Sequence, residues 1–402
     1  MPLCLSGKKG RINFRMRNYS LNIAGYNIRF ESTDSGLDIV PSERFLRFLI
    51  PSIPLSPKAP YTPQPPKPKS APTPPQGGAC EERSLTFYET HHTIVIPPQP
   101  PSKELSTPQP PKWGAEKTDV PPNIYLPPQP PQGGAEDGQE QQRGADNDLI
   151  IRVHVGAKVL PDDAERVFHA PFVEEINGLR IQHNPEFWSI WKYNSDLFIK
   201  VVFPVSSNEK QAVLKFSLKT MQWDLWIECN EKQVDPFEYP LDGLILYYLT
   251  VINNDIMIHA SGINHQGKGY LFSGVSGKGK TTISGLWDNF GAQVIHDDRL
   301  ILRNTVDGYI MHNTPVYNND VPGAAPLERI FIIEHGTENK IIPVSGANAV
   351  SLVMANCIQH NWGPETVAPL LYSVSDLCGK MKVFKLSFIP DRSVIDSILA
   401  YE

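Results

Sequence analysis

The sequence predicts an α/β fold, a mixed α+β sheet with helices around one strand–loop–helix unit, preceded by a small β-rich module and a Pro-rich leader. Three observations predict it. First, 39 prolines stand among 402 residues, and they crowd between Pro51 and Pro131. Second, from Asp148 onward the texture changes to short apolar runs of strand length. Third, a glycine-rich loop, Gly274–Thr281, sits between an apolar strand and a helical stretch. The boundaries that follow are a low-complexity, largely disordered leader over 1–146, a β-rich module over 147–238, and an α/β domain over 239–402.

A segment rich in Pro, Gln, Gly and Ser buries too little apolar surface to offset the entropy of ordering it. Pro-Gln-Pro-Pro begins at Pro63, Pro98, Pro108 and Pro128, and Pro-Gln-Gly-Gly-Ala spans Pro75–Ala79 and Pro131–Ala135. The physical reading is polyproline II separated by Gly-Gly joints. It is taken as a leader without a binding role; a ligand for SH3- or WW-like pockets is the alternative. Asn22–Phe30 has strand character but no evident partner.

Leu149–Val155, Leu197–Phe203, Ala212–Leu218 and Met221–Ile227 read as strands of a mainly antiparallel module, with Trp188, Trp191, Trp223 and Trp226 in its core or rim. Pro240–Ile252 reads as an apolar helix with Pro in its first turn. Short strands follow at Asp255–Ala260 and Gly269–Phe272. A helix is expected over Thr281–Asn289, closed by Gly291, and then a buried strand over Gln293–Ile295. Strands continue at Arg299–Arg303, Tyr309–His312 and Arg329–Glu334, and helices at Gly346–Ile358, Thr366–Leu377 and Ser393–Tyr401.

The net charge of −6 is spread along the chain without a long basic run, which argues against nucleic acid as a partner. The five cysteines are far apart and form no CxxC pair, so neither a zinc site nor a disulfide framework is expected, and a reduced cytoplasmic compartment fits best. No stretch approaches the ~20 apolar residues of a membrane span.

Gly274-Val275-Ser276-Gly277-Lys278-Gly279-Lys280-Thr281 fits G-x-x-x-x-G-K-[ST]. Glycines let the backbone turn tightly and aim its N–H groups at phosphate oxygens. The helix that follows offers its positive end to the same anion. Lys280 is then placed to reach the β- and γ-phosphates of ATP, and the Thr281 hydroxyl to bind Mg²⁺. Asp297-Asp298 ends the next strand, where one carboxylate can hold Mg²⁺ and the other take a proton from an attacking oxygen. His259 stands at the end of an apolar strand, fifteen residues before Gly274 (259 to 274), within reach of a phosphate or of the base.

These features, in this order, resemble the C-terminal catalytic domain of the HPr kinase/phosphorylase family, whose P-loop fold is related to that of phosphoenolpyruvate carboxykinase. The resemblance covers about Ile256–Arg303: a strand with His259, the loop with Lys280 and Thr281, a helix, and a strand ending in Asp297-Asp298. Ala260 stands where the family has Gly, and Thr281 where it usually has Ser. The resemblance implies Asp298 as the base that deprotonates an acceptor hydroxyl, with His259 and Lys280 beside it. It also implies Thr281 and Asp297 on the metal. The family's metal-binding glutamate has no counterpart in the stretch 313–323, where Asp320 is the candidate substitute. The expectation is an ATP-dependent phosphotransferase of the HPr-kinase-like group, acting on a Ser of a protein or peptide or on a small molecule. The family's closed oligomers leave a homo-oligomer open.

Two other classes share the glycine-rich loop. The missing glutamate would suit an ATP-binding scaffold with little catalysis; a P-loop hydrolase lacks an arginine-finger or sensor signature here. Arg299 and Arg303 are candidates for neutralising a transferred phosphoryl group, and Gln359-His360-Asn361-Trp362 for lining a substrate pocket. The leader assignment carries its own expectation: a 147–402 fragment stays soluble and keeps ATP binding.

Overall fold

The computed structural model describes residues 16–51, 148–176, 179–203, 210–229, 231–275 and 277–401. The Pro-rich repeats, Cys4, Cys80 and Ser276 lie outside the described residues. The architecture is mixed α/β with two large sheets.

The chain enters as a hairpin of β1 (Asn18–Ile23) and β2 (Tyr26–Ser32), followed by the short β3 (Asp38–Ile39) and a single 3-10 segment, Glu43–Phe48. Alternate residues Tyr19, Leu21 and Ile23, then Tyr26, Ile28 and Phe30, are buried, the period-2 pattern of a half-buried sheet. After Asp148 come β4 (Leu149–Val155), β5 (Glu165–Ile176), β6 (Leu179–Tyr193), β7 (Asp196–Val202), β8 (Gln211–Phe216), β9 (Gln222–Glu228) and β10 (Gln233–Val234). The sheet runs β1-β2-β4-β9-β8-β7-β6-β5, and β10 pairs with β3. β2 is parallel to β4, with Ile28 opposite Leu149, and β4 is parallel to β9. The other pairs in this sheet are antiparallel.

This topology corrects the 1–146 leader. Residues 18–48 belong to the fold, and Asn22–Phe30 does have a partner: β2 lies between β1 and β4. Nor is 147–238 a separate small module, because residues 16–51 and those from 148 onward cluster as one unit. The helix α1 (Leu241–Asn253) joins them. Every residue from Leu241 to Val251 is buried. A helix apolar all round must be covered all round: α1 shares one core with the first sheet and with Met257, Ile301 and Ile358 of the second half.

The second half follows as β11 (Ile256–His265), β12 (Lys268–Ser273), α2 (Lys280–Asn289), β13 (Gln293–His296), β14 (Arg299–Thr305), β15 (Gly308–Asn313), β16 (Ala324–His335) and β17 (Lys340–Val344). It closes with α3 (Gly346–Met354), α4 (Pro364–Lys380), β18 (Lys382–Phe388) and α5 (Ser393–Ala400). Two long strands bind the sheet together. β11 pairs β14 through Ile256–His259, then β12 and β13 beyond. β16 pairs β15 through Ala324–Pro326, then lies parallel to both β12 and β18. Alternation along β12 and β16 divides the core. Leu271 and Ile330 face the side of α3 and α4, whereas Tyr270, Phe272 and Phe331 face α2 and α5. Among the described residues no helix is long and apolar enough to cross a membrane.

Candidate active site

The glycine-rich loop leaves the carboxyl end of β12, and α2 begins at Lys280. Gly279 requires glycine twice over. Its φ is +97°, and a Cβ there would stand 3.1 Å from Cζ of Phe388. Gly277 has φ +80°, a conformation that favours glycine, and its carbonyl lies 3.0 Å from Nε2 of His335. The Lys280 side chain folds back under the loop. The residue is 7% exposed, and Nζ donates to the carbonyl of Gly274 at 2.7 Å. Burial lowers its pKa, opposed by the charges of Asp298 and Asp297. Thr281, in the first turn of α2, is exposed, and so is Val275; Lys278 is half-buried.

His259 lies in β11, directly paired with Arg299 of β14. Its Nδ1 is 3.0 Å from Oδ1 of Asp298 and 2.9 Å from the Asp298 carbonyl, so Nδ1–H donates toward both oxygens. Ser273, the last residue of β12, donates its hydroxyl to the His259 carbonyl at 2.8 Å. Adjacent strands thus set the spacing between the loop, His259 and the acid pair. Burial would raise the pKa of Asp298. The His259 hydrogen bond, with the charges of Arg299 and His259, holds it below the usual carboxylate range. Asp297 is half-buried beside it.

His296, just before the acid pair, was missed in the sequence. It is 6% exposed, accepts the Asp298 backbone N–H on Nδ1 at 3.0 Å, and meets Asp320 Oδ2 with Nε2 at 3.2 Å. An accepting Nδ1 puts the ring proton on Nε2, where it is donated to Asp320. Asp320 therefore does not stand free as a replacement metal ligand. The same Oδ2 also accepts the N–H groups of Val316 and Tyr317, each at 2.7 Å, which ties it to its own loop.

Of the other sequence candidates, Arg299 is 5% exposed and donates from Nη2 to Asp242 Oδ2 at 3.2 Å. Burial lowers its pKa, but Asp242 and Asp298 outweigh this and raise it. Arg303 lies elsewhere, bonded to Asp255 at 3.1 Å and to the Ala24 carbonyl at 3.0 Å. His360 and Trp362 are part of the core rather than a substrate pocket. His360 is 5% exposed, 4.0 Å from the Tyr247 ring and 4.7 Å from Trp188, and Trp362 Nε1 donates to the Tyr248 hydroxyl at 2.9 Å.

Neither family models nor curated proteins give a match to this sequence. Among solved structures, the chain is similar to the HPr(Ser) kinase/phosphatase from Coxiella burnetii. The identity is 11%, the match covers 36% of this chain and 93% of that one, and the TM-score is 0.22.

Proposed function

We propose that this protein is an ATP-dependent phosphotransferase acting on a hydroxyl group. The observation that carries the reading is the convergence of Lys280 and Asp298. A buried ammonium lies under a glycine-rich loop at a helix N-terminus, and a carboxylate held by His259 stands on the neighbouring strands, tied to the loop's own strand through the Ser273 bond to the His259 carbonyl. The phosphates of ATP suit the loop because Gly277 and Gly279 give its backbone a tight turn at the N-terminus of α2, and the helix end with Lys280 supplies donors and charge.

Among the described residues no group of three or more His, Cys, Asp or Glu could hold a metal ion. The Thr281 hydroxyl and the Asp297 carboxylate are hard oxygen donors at the first turn of α2 and at the end of β13, and they are the groups that would hold Mg²⁺. When bound, the ion supplies neutralisation of phosphate charge. Asp298 takes the proton of the acceptor hydroxyl. The acceptor oxygen forms its bond to the γ-phosphorus as the bond to the β–γ bridging oxygen breaks, and ADP leaves with that electron pair. His259 holds the carboxylate in place, and Lys280 offsets the negative charge on the phosphates.

The test is label transfer from γ-radiolabelled ATP to an array of Ser- and Thr-containing peptides and low-mass alcohols. Wild type is expected to transfer label, and Asp298→Asn to lose about 10²–10⁴-fold in rate while still binding ATP. Transfer that persists unchanged in Asp298→Asn removes the assigned base.

A further inference from the structure

Beside Asp298 lies a buried cluster of charges that reaches back to the first residues of the fold. Asp242, in the first turn of α1, is completely buried. One of its oxygens, Oδ2, takes two guanidinium groups: Arg299 Nη2 at 3.2 Å and Arg44 Nη1 at 3.1 Å. The side chains of Arg44, Arg299 and Asp242 are 14%, 6% and 1% exposed. Arg44 sits in the 3-10 segment Glu43–Phe48, fixed from several sides. Phe45 is fully buried with its ring 4.8 Å from Phe237, and the Ser42 backbone N–H donates to Asp235 at 3.2 Å. Two further contacts bind the segment to the loop that holds Asp320. Arg47 Nη1 donates to the Asn319 carbonyl at 2.7 Å, and Asn318 donates to Glu43 at 3.4 Å.

Arg299 bonds Asp242 directly, and it also stands beside Asp298: it is the next residue in the chain, and its backbone pairs with His259, which holds the Asp298 carboxylate. Its Nη1 is buried and has no hydrogen-bond partner, and neither has Asp242 Oδ1. Two cations balance two anions only while Arg44 is present. Without it, a buried Asp242 would face Arg299 alone, and leaving a buried charge under-compensated is costly. Arg299 would be drawn wholly onto Asp242 and away from Asp298.

We infer that Arg44 is a positioning residue of the phosphotransfer centre: by sharing Asp242 it keeps Arg299 available to Asp298, so residues upstream of the Pro-rich stretch complete the site. This rests on the phosphotransferase reading above. Arg44 acts through Asp242 and Arg299 and touches no reacting atom, and its effect falls on turnover rather than on nucleotide affinity.

The experiment uses the full chain and measures labelled phosphate leaving γ-radiolabelled ATP, to an acceptor peptide or to water, in wild type, Arg44→Gln, Arg44→Lys and Arg44→Gln/Asp242→Asn. Arg44→Gln is expected to lower kcat about 10- to 100-fold, the scale of a small misplacement of a catalytic group, with KM for ATP within about twofold of wild type. Arg44→Lys is expected to recover part of the loss. The double variant removes the competing carboxylate and is expected to recover most of it, which loss of packing would not allow. Thermal unfolding of each variant accompanies the rates. Wild-type kcat in Arg44→Gln overturns the inference and leaves the phosphotransferase reading intact. A double variant no better than Arg44→Gln, or Arg44→Gln that unfolds without rescue by Arg44→Lys, also overturns it. Absence of label release from wild type overturns both.

Discussion

Removing residues 1–147 should unfold the protein, although replacing residues 52–147 with a short linker should not. Ten large apolar side chains between Tyr19 and Phe48 are at most 6% exposed: Tyr19, Leu21, Ile23, Tyr26, Ile28, Phe30, Leu37, Ile39, Phe45 and Phe48. At about 1.5–3 kcal/mol each they contribute about 15–30 kcal/mol gross. Ordering the roughly 30 residues that carry them costs about 30–60 kcal/mol at about 1–2 kcal/mol each, so these side chains alone do not decide the outcome. The decisive loss is on the side left behind. Leu149, Ile151 and Val153 would lose the neighbouring β2, and Phe237 would lose the rings of Phe30 at 5.3 Å and Phe45 at 4.8 Å. Half-exposing these four removes about 3–6 kcal/mol. Taking Arg44 from the buried Asp242 adds about 3–5 kcal/mol. The sum matches the whole stability of an ordinary domain, about 5–15 kcal/mol. The linker variant keeps all of these contacts. Ile50 bonds to Ser20, Ser20 lies opposite Arg29 and Arg29 opposite Ile150, so the ends to be joined are about three strand spacings apart, roughly 15 Å. A flexible linker of ~12 residues spans that distance. Urea unfolding followed by circular dichroism and tryptophan fluorescence reads both variants. A 148–402 fragment that unfolds cooperatively with the midpoint of the full chain would refute the reasoning.

Two further outcomes are expected. Lys280→Ala should weaken ATP binding about 10- to 100-fold, the worth of a hydrogen bond to a charged group, in a calorimetric titration; unchanged affinity would show that the Gly274–Thr281 loop does not grip the phosphates. Burial pushes the pKa of His360 down to about 3, below the ~6.5 of the unfolded chain. This group therefore contributes stability above pH 6.5 that is lost as pH falls from 6.5 toward 3, about 2 kcal/mol of it between pH 7.5 and 5. His360→Phe should remove that slope in urea titrations at the two pH values. Subtracting the variant's profile from wild type cancels Asp235, raised to about 6 by burial, which works in the opposite direction.

Periodicity made the second half legible. The helix over Pro240–Ile252 and the strands around the glycine loop were evident because each has its pattern within a dozen residues, and the structure places them within one or two residues of expectation, except that β11 continues past Ala260 to His265. What escaped was non-local. β2 shows alternation, but its downstream partner is β4, on the far side of the Pro-rich stretch, and nothing near Tyr26 indicates that pairing. The long hairpin of β5 and β6 was missed because its register shifts repeatedly, which breaks the alternation a reader counts. Strand β18 follows α4 with a single residue between, too short a join to carry a turn signal that separates strand from helix.

The candidate site divides along the same line. Lys280, Asp298 and His259 announce themselves because glycine spacing, an acid pair and a lone histidine are local features. Their supports do not, though two left traces. Asp242 is the one charged residue in a largely apolar helix, and a carboxylate that must be buried needs cations beside it. His296 adjoins the acid pair and, by accepting the Asp298 N–H, takes part in fixing the backbone that presents the carboxylate. Arg44 left no trace. It stands with Arg47 in a short segment before a Pro-rich tract, and nothing local marks it until the fold brings it to Asp242. The residues that hold a reactive group are selected for reach across the fold, and reach is a property of topology, which one-dimensional spacing does not encode.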